Sequence, residues 1–174
     1  MGPGCPWMGH DQSPLGGLKK TGRNPTDRGK QGTKRSVLTD ASGLPLSLVI
    51  EGANRHDLKL ARGTLKGLVI PRPDPTPEQP QHLCLDKGYD YDEVRELAQE
   101  FHYTAHIRTR GEEAQAIKRE AGFKARRWVV ERTHRWLNRF RRILTRWEKR
   151  ADTYLALLHL ACGIITWRAT SLLG

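Results

Sequence analysis

The longest periodic apolar pattern of the chain runs through a strongly basic stretch, residues 124–150. Its apolar side chains recur at steps of three, four and seven residues, which is the spacing of one face of an α-helix. They are Val129, Val130, Trp136, Leu137, Phe140, Ile143, Leu144 and Trp147. Arginine dominates the other positions. The pattern therefore predicts one long helix with an apolar face and a basic face.

A second long apolar pattern covers residues 152–172. It carries few charges, and its apolar positions fit the period of a helix. They include Leu155, Leu158, Ala161, Cys162, Ile165 and Leu172. A segment this apolar predicts a second long C-terminal helix that is buried by the rest of the protein.

Shorter patterns upstream predict strands that alternate with helices. Strands are predicted over residues 36–41, 45–51, 82–85 and 104–108, with the first two joined as a hairpin around Ser42 and Gly43. Helices are predicted over residues 58–68 and 91–101, with a proline-rich connector over 71–81 and a turn over 87–89. The order predicts an α/β fold with a mixed sheet flanked by helices.

Asn54 and Asp57 are the two candidate N-caps of the first predicted helix, because short polar side chains are preferred there. This preference favours a capping role for Asp57 over a catalytic one. His56, next to it, is likewise expected to be structural rather than a ligand.

Residues 1–35 are rich in Gly, Pro, Lys and Arg and show no apolar periodicity. The composition predicts a basic, flexible N-terminal segment. Such a segment could be laid along a phosphate backbone, or it could be a disordered basic tail, and both interpretations stay open.

The charge distribution indicates a polyanionic partner. The 174-residue chain has a formal net charge of +11, and thirteen Lys or Arg against three acids lie between residues 118 and 150. DNA or RNA bound through its phosphates is the simplest partner. A membrane is disfavoured because no apolar run is long enough to span one.

The cysteines and the N-terminus indicate the compartment. The chain has three cysteines, Cys5, Cys84 and Cys162, and no two of them are close in sequence. An odd number without a close pair argues against a disulfide framework and against a zinc ribbon. The first residues do not have the pattern of a secretory signal. We therefore expect a cytoplasmic, nucleoid-associated protein.

Two acids are candidates for chemistry on a nucleic acid. Glu131 is a carboxylate among the arginines of the basic helix, with Arg127 four residues before it and Arg135 four after it. It is either a salt-bridged surface residue or a metal-binding carboxylate held at a DNA backbone. Asp86 follows a predicted strand, and sites in α/β sheets form at the carboxyl ends of strands. Cleavage of a phosphodiester by two metal ions needs such carboxylates to converge.

Three segments together resemble bacterial insertion-sequence transposases of the DDE type. They read TDRGKQGTKRSVLTDASGLPLSLVIEGANRHDLKL, LCLDKGYD and RRWVVERTHRWLNRFRRIL. The resemblance implies an RNase H-like fold and a reaction that depends on Mg²⁺, with Mn²⁺ as a possible substitute. Water would attack the end of the element, and the freed 3′ hydroxyl would then attack target DNA.

The resemblance also assigns residues. Asp86 matches the family's second catalytic aspartate and Glu131 its glutamate, so both would bind metal. Arg127 matches the basic member of the motif around the glutamate. The lysine of that motif falls at Asn138, and Arg139, next to it, could take over its phosphate contact. With Arg135, Lys30 and Lys34, these basic residues are the candidate DNA contacts.

One departure from the family concerns the first catalytic aspartate. In relatives it lies on a strand shortly before a PLGG motif, here residues 14–17, and the preceding residues do not read as that strand. Asp11 stands too close to the motif, and Asp27 and Asp40 follow it. We therefore expect a partial RNase H-like catalytic domain over residues 36–174 that lacks its first strand and first metal ligand. An upstream-encoded N-terminal transposase part would be a partner.

Three functions fit this sequence. The first is a DNA transposase fragment that cleaves and transfers strands at element ends, and that is inactive alone if nothing replaces the first aspartate. The second is a non-catalytic DNA-binding remnant or regulator of the element. The third is an RNase H-like nuclease acting on another nucleic acid. For the first, the family implies element-end and target DNA as partners, and an oligomer on DNA.

Overall fold

The computed structural model describes residues 8–10, 19–25, 28–85, 87–107 and 127–171. These residues form a four-stranded antiparallel sheet, a two-stranded parallel sheet and five α-helices. They fall into two compact units, one built from the chain up to Val69 and from Val129 onward, the other from Ile70–Trp128. The α/β class is as predicted, but the prediction of a single mixed sheet is not confirmed.

The sheet of the first unit is organised around one central strand. Its strands are β1 (Met8–His10), β2 (Gly22–Arg23), β3 (Gln31–Thr39) and β4 (Pro45–Gly52). The strands β1, β2 and β4 all pair antiparallel with β3. The predicted hairpin of β3 and β4 is confirmed, although β3 begins at Gln31, five residues before the predicted start.

The prediction that residues 1–35 lack regular structure is wrong in three places: β1, β2 and the start of β3. The expected absence of a strand before the PLGG motif is not confirmed either, because β1 lies there. These strands show no apolar alternation, because glycines lie where they pass close to neighbouring backbone and side chains. A Cβ on Gly22 would stand 1.9 Å from Asn54 Oδ1, and one on Gly52 would stand 2.9 Å from the Thr21 carbonyl.

Helices complete both units. They are α1 (Asp57–Lys66), α2 (Asp92–Glu100), α3 (Arg127–Asn138), α4 (Arg141–Leu144) and α5 (Ala151–Ser171). The predicted caps of α1 are wrong, since Nδ1 of His56 accepts a hydrogen bond from the Leu58 amide at 3.4 Å. His56 therefore has a structural role, as expected, and Asp57 is the first helical residue.

The sequence of β4 is almost continuously apolar because other elements pack against both faces of the strand. Leu48 and Ile50 join a core with α3, α4 and α5. On the other face, Val49 lies against Gly63 of α1. Burying one such aliphatic side chain contributes about 2 kcal/mol, so β4 is the apolar centre of this unit.

The prediction of one helix over residues 124–150 is wrong beyond Asn138. α3 ends there, the short α4 follows, and residues 145–150 are not helical. The buried part of the apolar stripe extends into α4, since Leu137 and Ile143 are buried, whereas Leu144 is 45% and Trp147 is 68% exposed.

The predicted closing helix is confirmed as α5, but only one of its faces is buried. Tyr154, Leu158, Ala161 and Ile165 pack into the core. Leu160 and Trp167 lie on the outer face and are 61% and 69% exposed. Hydrophobicity all round a helix was therefore an incomplete guide to its burial.

The second unit contains a β–α–β arrangement of β5 (His82–Leu85), α2 and β6 (Thr104–Ile107). The two strands are parallel, with His82 opposite Thr104 and Leu85 opposite Ile107. A crossover helix between parallel strands is what the sequence order predicted. Lys87–Tyr89 form a single 3₁₀ turn after β5.

Candidate functional site

The helix that carries Glu131 is fixed to the hairpin turn between β3 and β4. The fully buried Thr133 hydroxyl donates to the Gly43 carbonyl at 2.6 Å. Arg132 Nη2 donates to the Ser42 carbonyl, and the Arg132 guanidinium lies 4.9 Å from the centre of the Trp136 ring. Neighbouring side chains of α3 thus hold consecutive carbonyls of one turn, which fixes the position of the helix on the sheet.

The turn itself is built to present those carbonyls. Asp40 Oδ1 accepts hydrogen bonds from the amides of Ser42 and Leu44 at 2.8 and 2.7 Å. Gly43 has a φ of +82°, which favours glycine. A Cβ at Gly43 would also lie 3.0 Å from the Arg132 guanidinium. The Ser-Gly turn that the sequence predicted is therefore also the docking point of α3.

The far end of α3 is held by a buried arginine of the sheet. Arg35, on β3, is 4% exposed. It donates from Nη2 to the Ile143 carbonyl at 2.6 Å and from Nη1 to Asn138 Oδ1 at 3.4 Å. Its guanidinium lies 5.9 Å from the centre of the Tyr154 ring. Asn138 thus belongs to an internal network in this protein.

A second buried arginine fixes the non-helical segment after α4. Arg146 is 2% exposed. Its guanidinium donates to the Glu148 carbonyl at 3.1 Å, the Lys19 carbonyl at 3.0 Å and Thr33 Oγ1 at 3.1 Å. Carbonyls of residues 148 and 149 can turn toward residue 146 only where the backbone is not helical. This network gives a physical reason for the interrupted helix.

His134 is buried on α3, beside these groups. Burial, followed by the positive charge of Arg35, lowers the pKa of His134 to about 4. The imidazole is therefore neutral at neutral pH. It is 2% exposed and is a core residue rather than a proton donor at the surface.

The candidate residues from the sequence are distributed as follows. Glu131 is half-buried on α3, whereas Arg135 and Arg139 are exposed. Arg127 is the first residue of α3, and its side chain lies outside the described part of the chain. Asp86 lies outside the described residues, so the pairing of Asp86 with Glu131 stays a prediction. Among the described residues, no three His, Cys, Asp or Glu side chains converge on a metal position.

The two candidate lysines differ in their surroundings. Lys30 is exposed next to β3. Lys34 donates to Asp57 Oδ1 at 2.9 Å and to the Arg55 carbonyl at 3.1 Å, and its side chain is 13% exposed. Lys34 therefore ties β3 to the start of α1, and a phosphate would have to displace Asp57 to reach it.

Sequence reasoning did not single out Arg35, Thr133 or Arg146. A signal for Arg35 exists, because Thr33, Arg35 and Val37 alternate along β3 on the face that meets Ile50 and Leu48 of β4. An arginine inside that alternation predicts a buried guanidinium. No comparable signal exists for Arg146, which follows the end of a helix.

Comparisons with known proteins show the family of the chain. Residues 8–165 match the family described as the transposase DDE domain. The chain is 39% identical over 161 residues to a putative transposase for insertion sequence element IS402 of Burkholderia cepacia, an alignment that covers 87% of this chain and 70% of the relative. It is 28% identical over 137 residues to a putative transposase for insertion sequence element IS6501 of Brucella ovis, covering 78% of this chain and 98% of that protein. No solved structure matches the chain.

The described residues define an α/β protein with an arginine-rich helix. The chain belongs to the DDE transposase domain family, whose general activity is DNA transposition. Within the described residues, no helix has the length and hydrophobicity needed to cross a membrane.

Proposed function

We propose that this protein binds the DNA ends of an insertion element and acts in the metal-dependent cleavage and transfer of their strands. Asp86 and Glu131 are the proposed metal-binding carboxylates. The observation that carries the proposal is the place of Glu131 on a helix fixed to the sheet by Thr133, with exposed arginines following on the same stretch of chain. Family membership supports the reaction class.

The donor chemistry fits the metal in type. Mg²⁺ prefers carboxylate oxygens, and when bound it activates an attacking oxygen and stabilises the leaving one. Of the two proposed carboxylates, Glu131 lies in the described part of the chain. The hydrogen bonds that Thr133 and Arg132 donate to the hairpin turn fix α3 on the sheet. They thereby keep the carboxylate of Glu131 in one position.

The arginines of this stretch supply the phosphate contacts. Arg135 and Arg139 are exposed, and each guanidinium offers five donors in a planar fork that matches a phosphate. Arg127 and Lys30 are the further proposed contacts. Lys34 would contribute indirectly, through the ion pair that fixes α1 to β3.

The test is cleavage of DNA that carries the ends of the element, measured with and without Mg²⁺. We expect Glu131→Gln and Asp86→Asn each to lower the cleavage rate by roughly a hundredfold or more, about 3 kcal/mol of activation free energy, while DNA binding is kept. Glu96→Gln on α2 is the matched control, since Glu96 is exposed and has no proposed role. Unchanged cleavage by Glu131→Gln would remove Glu131 from the site.

A non-catalytic DNA-binding function is the second candidate. The exposed arginines favour it, because they can bind phosphates without a metal. It predicts that the wild-type chain binds element ends, that no Mg²⁺-dependent product forms, and that Glu131→Gln leaves binding unchanged. Product formation by the wild type decides against it.

A further inference from the structure

The segment between α4 and α5 alternates sharply between buried and exposed side chains. Arg146 is 2% exposed, Trp147 is 68% exposed and Glu148 is 7% exposed. Trp147 is thus a large aromatic side chain projecting into solvent between two buried charged residues. Such an arrangement is uncommon, because an indole is normally kept largely from water.

The two neighbours of Trp147 anchor the backbone on both sides of it. The Arg146 guanidinium donates to the carbonyls of Lys19, Glu148 and Lys149 and to Thr33. Glu148 Oε1 forms an ion pair with Arg142 Nη2 at 2.6 Å. Buried contacts therefore hold the backbone on both sides of Trp147. The indole is exposed in a fixed direction before any partner binds.

The surroundings of Trp147 are basic. Arg142 reaches Glu148, the next residue, and its side chain remains 61% exposed. Arg141 and Lys149 are exposed on the same segment or its borders, and Arg150 is exposed but forms an ion pair with Asp152. Protein interfaces are depleted of Lys, although they are enriched in aromatic residues and Arg, so Lys149 beside the indole does not favour a protein partner. Positive charge around an exposed aromatic ring is instead typical of surfaces that bind single-stranded nucleic acid.

We propose that Trp147 stacks on an unpaired base of bound DNA, while the flanking basic side chains hold the adjoining phosphates. The ligand must carry an unpaired base, because the faces of bases inside a duplex are covered by their neighbours. Strand cleavage at an element end produces DNA ends with this property when the two strands are cut at different positions. The inference rests on the proposed function for its DNA partner, but it needs no metal.

The experiment measures the affinity of the full chain for two DNAs in the presence of a chelator, one a blunt duplex and the other the same duplex with a single-stranded overhang. Stacking on one base predicts that Trp147→Ala weakens overhang binding roughly tenfold and changes blunt-duplex binding little. Trp147→Phe, which keeps an aromatic face, retains most of the affinity. Trp167→Ala is the matched control, since Trp167 is 69% exposed but lies on α5.

Several results would overturn the inference. Equal weakening of both DNAs by Trp147→Ala would show a general contact, and no effect on either would show that Trp147 touches neither. Loss of self-association in sedimentation, with unchanged DNA binding, would assign the indole to a second copy of the chain. A wild-type chain that binds no DNA would contradict the proposed function itself, whereas normal wild-type binding with no Trp147 effect contradicts only this inference.

Discussion

Arg35 and Arg146 carry the same side chain as Arg135 and Arg139, but the two pairs lie in opposite environments. The first pair is buried and donates to carbonyls and side chains of its own unit. The second pair is exposed. A guanidinium keeps its charge when buried, so it must exchange water for several acceptors at once. The comparison teaches that the formal charge of the chain overstates the positive charge that is exposed and available to phosphates.

The largest expected effect is on the buried side of the comparison. Arg146→Met removes all the donors that reach the Lys19, Glu148 and Lys149 carbonyls and Thr33. It should lower the free energy of unfolding by about 3 kcal/mol or more, because buried acceptors are left unsatisfied. Chemical denaturation measures this. Arg139→Met, the same change at an exposed position, should stay within about 0.5 kcal/mol of wild type, and similar losses in both variants would erase the distinction.

A pH dependence sharpens the same comparison, because burial and, after it, the charge of Arg35 lower the pKa of His134. The pKa of His134 is about 4 in the folded protein against an ordinary 6.5. Below about pH 6.5 the unfolded chain takes up a proton that the folded chain refuses, so stability is lost as the pH falls toward 4. Between pH 7 and pH 5, the titration of His134 should lower the free energy of unfolding by about 2 kcal/mol.

His134→Gln should remove the part of the pH dependence of unfolding free energy that His134 contributes, since the glutamine side chain does not titrate. The comparison needs the free energy of unfolding of both proteins across this range. Parallel curves for the two proteins would show that His134 does not carry the dependence.

A smaller effect is expected at the hairpin turn. Thr133→Val removes the hydroxyl that donates to the Gly43 carbonyl and should cost about 1–2 kcal/mol of unfolding free energy. Thr133→Ser keeps the hydroxyl and should retain the hydrogen bond. If valine proved as stable as threonine, the bond to Gly43 would not be what fixes α3.

Much of the fold could be predicted from local pattern. The hairpin of β3 and β4, the order β5–α2–β6 and the helix α5 all follow from apolar periods and turn residues within short windows. The candidate glutamate could be singled out because it lies among arginines on a basic helix. These features are local, and the chain reveals them without its tertiary contacts.

The remainder depends on contacts between distant residues. Nothing in the sequence around Arg146 shows that Lys19 and Thr33 accept its hydrogen bonds, so the end of helical structure at Leu144 could not be foreseen. The apolar positions keep the helical period through Ile143, Leu144 and Trp147, although the backbone is not one continuous helix there. The strands β1 and β2 were missed because glycine pairing and close backbone contacts leave no apolar alternation.

The central claim, that the exposed and the buried arginines of this protein have separate functions, is tested most directly by the salt dependence of DNA binding. Each phosphate contact contributes about 0.9 to the slope of log affinity against log salt. Arg135→Gln combined with Arg139→Gln should therefore reduce the slope by about 2 and leave the unfolding free energy nearly unchanged. A slope equal to that of the wild type would contradict the claim.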